Sequence, residues 1–161
     1  DLAKRQARRA ADLACGSGRE SLFLAMAGFR VEGWDADSFA LDQARRLAER
    51  HGVRIETKLC DLEARKVPLP EAAYDLAICF RFLQRPLFPT IERSLAPGGC
   101  LVYETFRRGQ EQFGRPKRRR FLLKDGELER AFPGLEIMEY HEPSPPGGPW
   151  TARLLARKGH P

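Results

Sequence analysis

The residues with the clearest chemical potential form the segment Asp12-Leu13-Ala14-Cys15-Gly16-Ser17-Gly18, followed seventeen residues later by Asp35. An acid inside an apolar run is costly unless it meets a partner, which makes Asp12 a candidate binding group. Gly16 and Gly18 form a G-x-G turn through which backbone can approach a ligand closely. A helix beginning at Arg19 would aim its free N–H groups at the same place. An acid positioned like Asp35 can accept hydrogen bonds from ribose hydroxyls. These features suit a ligand that carries a nucleoside. They argue against hydride transfer, because a nicotinamide fingerprint wants glycine where Ser21 stands and an apolar residue where Asp12 stands. Cys15, Cys60, Cys79 and Cys100 are spaced by 45, 19 and 21 residues with no C-x-x-C pair, which argues against a zinc site and for buried, reduced thiols.

The elements that must position these groups follow from alternating patterns. Short apolar runs at 10–15, 29–35, 53–59, 74–80, 100–106, 135–141 and 150–158 read as strands. Helical periodicity fills 19–27, 38–50, 87–95 and 124–132, with Gly28 and Gly52 as stops and Asp37 or Ser38 as a cap. The turn Ala96-Pro97-Gly98-Gly99 feeds the fifth strand, and the last two strands, with no helix between them, should pair antiparallel. Strands alternating with helices imply an α/β, doubly wound, mostly parallel sheet in one domain spanning 1–161. Ligands of such sheets bind beyond the strand carboxyl ends, where the winding reverses.

In that order and spacing, DLACGSG, VEGWDAD, LCDLE, YDLAICF and LAPGGCLVYETF resemble the class I S-adenosylmethionine-dependent methyltransferases over nearly the whole chain. The stretches RFLQRPLFP, YETF and FGRP are most similar to small bacterial members of the tellurite-resistance-like group. The resemblance implies a seven-stranded Rossmann-like sheet with its last strand antiparallel, and S-adenosyl-L-methionine as cofactor. It implies that Asp12, Ala14, Gly16 and Gly18 hold the methionine part, Asp35 with Ala36 the ribose, and Asp61 with Leu62 the adenine. Cys79, Phe80 and Arg81 would then flank the sulfonium and the acceptor. Trp34 could lie near the adenine, although an aromatic within a strand is more often core. The chain opens on Asp1 rather than Met, so the N-terminal helices that close such sites are expected to be absent or truncated.

Methyl transfer needs a general base only when the nucleophile arrives protonated. Glu104, Tyr103 and His141 lie near strand ends, with Arg81 and Arg85 after the fourth strand as substrate-side charges. Glu104 is either a catalytic group beside Arg81 or a salt-bridge partner of Arg81 or Arg85. The absence of an N/D-P-P-Y-type motif, of a Pro-Cys context at Cys79 and of a target-recognition domain favours a small-molecule acceptor.

The chain carries 28 Lys and Arg against 22 Asp and Glu, a net charge of +6. Seven of those bases and one acid fall between Arg107 and Arg120, so the other 147 residues are neutral. This single basic segment would draw an anionic acceptor to the site mouth. The other readings are a merely solvated loop and, less favoured than a small-molecule acceptor, an RNA-directed methyltransferase or RNA-interacting cofactor-binding domain with Phe113 and Phe121 as stacking groups. No apolar run approaches the ~20 residues of a membrane span, and the composition suits a cytoplasmic setting.

Overall fold

A computed structural model describes residues 7–161. The expectation about N-terminal helices lies outside the described residues. The elements are β1 (Arg9–Leu13), α1 (Arg19–Met26), β2 (Arg30–Asp35), α2 (Ser38–Arg50), β3 (Ile55–Leu59), β4 (Tyr74–Phe80), α3 (Phe88–Ser94), β5 (Leu95–Phe106), α4 (Glu127–Arg130), β6 (Leu135–His141) and β7 (Thr151–Lys158). They form one seven-stranded sheet in the order β3-β2-β1-β4-β5-β7-β6. Neighbours are parallel from β3 to β5, and β7 runs antiparallel to both β5 and β6.

Alternation along the strands divides the core into two layers. Ala10 and Ile78 face Leu24, Val31, Ala44, Ala48 and Ile55 beneath α1 and α2. Leu13, Ala77 and Cys79 face the opposite way, with Trp34, Tyr74, Ile91, Tyr103, Leu128 and Phe132. Phe88, Tyr103 and Phe132 meet there with ring centroids 5.0–6.0 Å apart. Asp37 caps α2 by accepting hydrogen bonds from the Phe39 and Ala40 amides, the better of the two capping candidates.

Two elements depart from expectation. The stretch from Ala96 to Gly99 does not precede β5 but bulges within it. Tyr74 pairs with Leu95 and Leu76 with Cys100, so Asp75 alone stands opposite four residues, and Gly98 takes up a φ of +76°. The helix expected over 124–132 shrinks to the single turn of α4. Gly126 at φ +67° starts it late, Pro133-Gly134 follow closely, and the Glu127 carboxylate binds the Lys124 amide. Burial of Leu128 and Phe132, rather than helix length, holds this segment down.

The winding reverses at β1, which lies between β2 and β4. The carboxyl ends of β1 and β4 are therefore the place to look for a ligand site.

Candidate active site

Between β1 and α1 the chain turns through left-handed backbone at Ala14, Gly16 and Gly18, with φ of 57°, 53° and 84°. The two glycines do different jobs. Nothing lies within 4 Å of where a Gly16 side chain would begin, so its Cα faces open space. A Cβ on Gly18 would stand 2.5 Å from the Ala44 Cβ. Gly18 thus lets α1 pack closely on α2.

Asp12 is 2% exposed and accepts a 2.6 Å hydrogen bond from the Ser21 hydroxyl. Ser21, which breaks the nicotinamide fingerprint, is therefore the partner this buried acid requires. Burial pushes the Asp12 carboxyl up to about 7, with the Ser21 bond pulling the other way. The acid opens onto a cavity of ≈ 260 Å³ shared with Ala14, Gly16, Ser17, Glu20, Phe80 and Arg81.

The Asp35 carboxylate is fixed from two sides, by the Gly16 amide on Oδ2 and the Asp37 amide on Oδ1, each at 2.9 Å. Such bonds orient the group while leaving it half-exposed to solvent. Ala36 is exposed in the turn that follows. The Cys60 amide donates to the Asp35 carbonyl, which places Asp61 just beyond it, exposed and tied to the Glu63 amide at 2.9 Å. Leu62 is buried in the core beneath, and Trp34, 5% exposed, belongs to that core too.

At the end of β4, Phe80 and Arg81 reach the cavity and Cys79 does not. Strand alternation points the Cys79 thiol into the core, where it is fully buried and pushed up to about 12. Cys79 is therefore a packed thiol, not a flank of the site. Arg81 is held at φ 54°, a conformation that costs a non-glycine residue on the order of 1–3 kcal/mol. Its amide donates to the Glu104 carbonyl and its guanidinium pairs with Glu20 at 3.1 Å, bridging the ends of β4 and α1.

Beyond Arg81 lies a second cavity of ≈ 340 Å³. Its wall includes Phe82, Phe106, Pro116 and Phe121, with Arg115 and Glu63 as further charges. Arg81 lines both cavities.

Several groups expected at the site are elsewhere. Glu104 points to the other face of β5, where it pairs at 2.6 Å with Arg153 of β7 rather than with Arg81 or Arg85. Arg85 is spent on structure: it clasps Glu127 at 2.6 and 3.0 Å and donates to the carbonyls of Arg120 and Leu122. The Tyr103 hydroxyl is buried and donates to the Phe82 carbonyl at 2.7 Å, while His141 is exposed near Glu139. The basic segment is equally divided. Arg107 is buried, bound to Asp125 and Ser144 and stacked on Trp150, and Lys117 donates to the Glu111 carbonyl. Phe113 leans on Trp150, whereas Arg118, Arg119 and Arg120 stay exposed. Ser17, Phe82 and Arg115 line cavities from within the stretches DLACGSG, RFLQRPLFP and FGRP, and Phe121 from the flank of the basic segment; Glu20 lies in no such stretch, and only its position in the first turn of α1 hints at its role.

A sequence model of the methyltransferase domain matches residues 10–99, more than half of the chain. The chain belongs to the methyltransferase domain family. Its strand order places it with the class I, Rossmann-like members. Among similar methyltransferases, the "probable S-adenosyl-L-methionine-dependent methyltransferase TehB" of Haemophilus influenzae is 27% identical over 81% of this chain and 47% of its own length. The ubiquinone biosynthesis O-methyltransferase of Bordetella avium is 31% identical over 67% of this chain and 46% of its own. The crystal structure of Haemophilus influenzae TehB superposes with a TM-score of 0.78 at 22% identity, covering 95% of this chain and 58% of that one. This methyltransferase chain therefore spans about half the length of the curated relatives it matches. Among its described residues no helix is long and apolar enough to cross a membrane.

Proposed function

We propose that this chain transfers a methyl group from S-adenosyl-L-methionine to a small anionic acceptor. The observation that carries the reading is the buried Asp12 carboxyl opening, beside the bare Cα of Gly16, onto a cavity that ends at Phe80 and Arg81. The residues present fit the cofactor's groups. Asp12 holds its ammonium, the pre-oriented Asp35 takes the ribose hydroxyls, and Asp61 meets the adenine amino group. Glu20 brings negative charge to the side of the cavity where Arg81 stands. When bound, S-adenosylmethionine supplies a methyl group activated by sulfonium charge, which a nucleophile takes by in-line displacement.

The task left to the protein is alignment, and orientation alone contributes on the order of 7–11 kcal/mol in such reactions. The left-handed Arg81 backbone sets the junction at which the two reactants would meet. The test is calorimetry with S-adenosylhomocysteine, the reaction product. Wild type should bind it, and Asp35→Ala should weaken binding at least tenfold. Equal binding by the two proteins, or none by wild type, sinks the reading.

Exposed Arg118, Arg119 and Arg120 support a second reading, in which the acceptor is RNA. That reading requires affinity for RNA that falls steeply with salt and disappears when the three arginines are neutralised. Salt-insensitive or undetectable binding leaves the small-molecule acceptor.

A further inference from the structure

Resting on the methyl-transfer reading, we infer that the second cavity is the acceptor site and that it takes a planar aromatic anion of one or two rings.

Position comes first. The cavity adjoins the Asp12 cavity across one residue, Arg81, so a molecule seated in it faces the end of β4 from the side opposite α1. The Glu20–Arg81 pair lies at that junction.

Shape and chemistry come next. Phe82, Phe106 and Phe121 supply aromatic surface and Pro116 a further apolar face, a lining that favours stacking of a planar group. Phe121 is braced from behind by the Arg120 guanidinium, 4.5 Å from its ring centroid, and Arg120 is itself anchored through its carbonyl to Arg85. A volume of ≈ 340 Å³ stands near the lower limit of roughly 300 Å³ for small-molecule sites, enough for one or two fused rings.

Charge selects the functional group. Arg81, Arg85, Arg107 and Arg153 each hold a carboxylate, whereas Arg115 has none among the described residues. Arg115 can therefore grip a carboxylate or sulfonate with its planar fork. Glu63, the one unpaired acid on the wall, disfavours an acceptor bearing two negative groups. This arrangement separates two jobs on one loop: Phe121 recognises the ring and Arg115 the charge.

The experiment titrates 2-naphthoate, 2-naphthylmethanol and octanoate into the protein saturated with S-adenosylhomocysteine, read by calorimetry. Naphthoate should bind at least fivefold tighter than either comparison compound. Arg115→Gln should reduce naphthoate affinity about fivefold to tenfold and leave naphthylmethanol unchanged, and Phe121→Ala should weaken both aromatic ligands. Both variants should keep wild-type affinity for S-adenosylhomocysteine, which shows that they fold. Equal binding of naphthoate and naphthylmethanol overturns the anion, and equal binding of octanoate overturns the ring. No binding of any of the three while S-adenosylhomocysteine binds overturns this inference and leaves methyl transfer standing. Failure of S-adenosylhomocysteine to bind removes the parent reading, and this one with it.

Discussion

The wall contributed by β1, β2 and β3 is shaped by backbone. Tight turns with left-handed residues present two fixed carboxylates and bare Cα surface, and every group lies within a few residues of a strand end. The wall contributed by β4 and β5 is shaped by side chains, several of them delivered by the long connection from Arg107 to Leu123. The first wall is held by backbone hydrogen bonds, from the Gly16 amide to Asp35, the Gly18 amide to the Cys15 carbonyl and the Cys15 amide to the Trp34 carbonyl. The second depends on packing, with Arg107, Arg85 and Trp150 pinning the connection so that Arg115 and Phe121 can face inward. A family that keeps one cofactor and changes acceptors is well served by such a division, because the second wall can vary without disturbing the first.

The contrast is most directly broken at the two glycines of the first wall. Gly18→Ala adds a methyl group 2.5 Å from Ala44 Cβ and 3.0 Å from its Cα, at a φ of +84°. Overpacking and strain together should cost roughly 3 kcal/mol in urea-measured stability. Gly16→Ala meets open space and should lose only about 1–2 kcal/mol to its left-handed φ. Its new methyl group would instead narrow the Asp12 cavity, so S-adenosylhomocysteine affinity should fall more than stability. Equal stability losses at the two positions would show that helix packing does not separate them.

The next effect is a pH dependence. Burial raises the Asp12 carboxyl from 3.8 in the unfolded chain to about 7 in the folded one. The folded protein therefore retains a proton that the unfolded chain has released. The contribution to stability is fully present below pH 4, declines as pH rises, and is lost above 7. Each tenfold change in proton affinity is worth about 1.4 kcal/mol. Over the rise from 3.8 to about 7 the loss should amount to a few kcal/mol. Asp12→Asn removes this slope. The same titration should strengthen S-adenosylhomocysteine binding in wild type between pH 6 and 8, as the ionised carboxyl pairs with the ligand ammonium. A wild-type affinity that is flat over this range would break the assignment of Asp12 to the ammonium.

The two walls also differ in how far they could be read from sequence. Asp12, Gly16 and Asp35 were legible because strand ends and turns are local features: an acid in an apolar run and a G-x-G before a helix need no tertiary knowledge. The alternation of strands with helices and the antiparallel last pair followed from the same local logic. The length of the 124–132 helix did not, because Gly126 and the buried Leu128 and Phe132 outweighed its periodicity. Arg115 and Phe121 looked like members of a charge run and its flank. Only the path of the connection turns them inward while it sends Arg107 into the interior. Arg85 illustrates the converse: a charge near a strand end invites a substrate role, yet two backbone carbonyls and Glu127 consume its donors.

The smallest expected effect belongs to Glu104, the acid that chain position nominated for catalysis. Alternation along β5 sends Tyr103 and Thr105 toward one face and Val102 and Glu104 toward the other. Thr105 reaches the second cavity, whereas Glu104 meets Arg153 on a half-exposed surface. A pair so exposed is worth about 0.2–1 kcal/mol. Glu104→Gln should therefore shift stability by less than about 1 kcal/mol and leave the affinities for S-adenosylhomocysteine and naphthoate at their wild-type values. A fivefold loss of naphthoate affinity in this variant, with Arg153→Gln silent, would mean that the Glu104 side chain turns back across the strand into the acceptor wall. The separation of the two faces of β5 would then fail, and with it the confinement of the acceptor site to the connection and the end of β4.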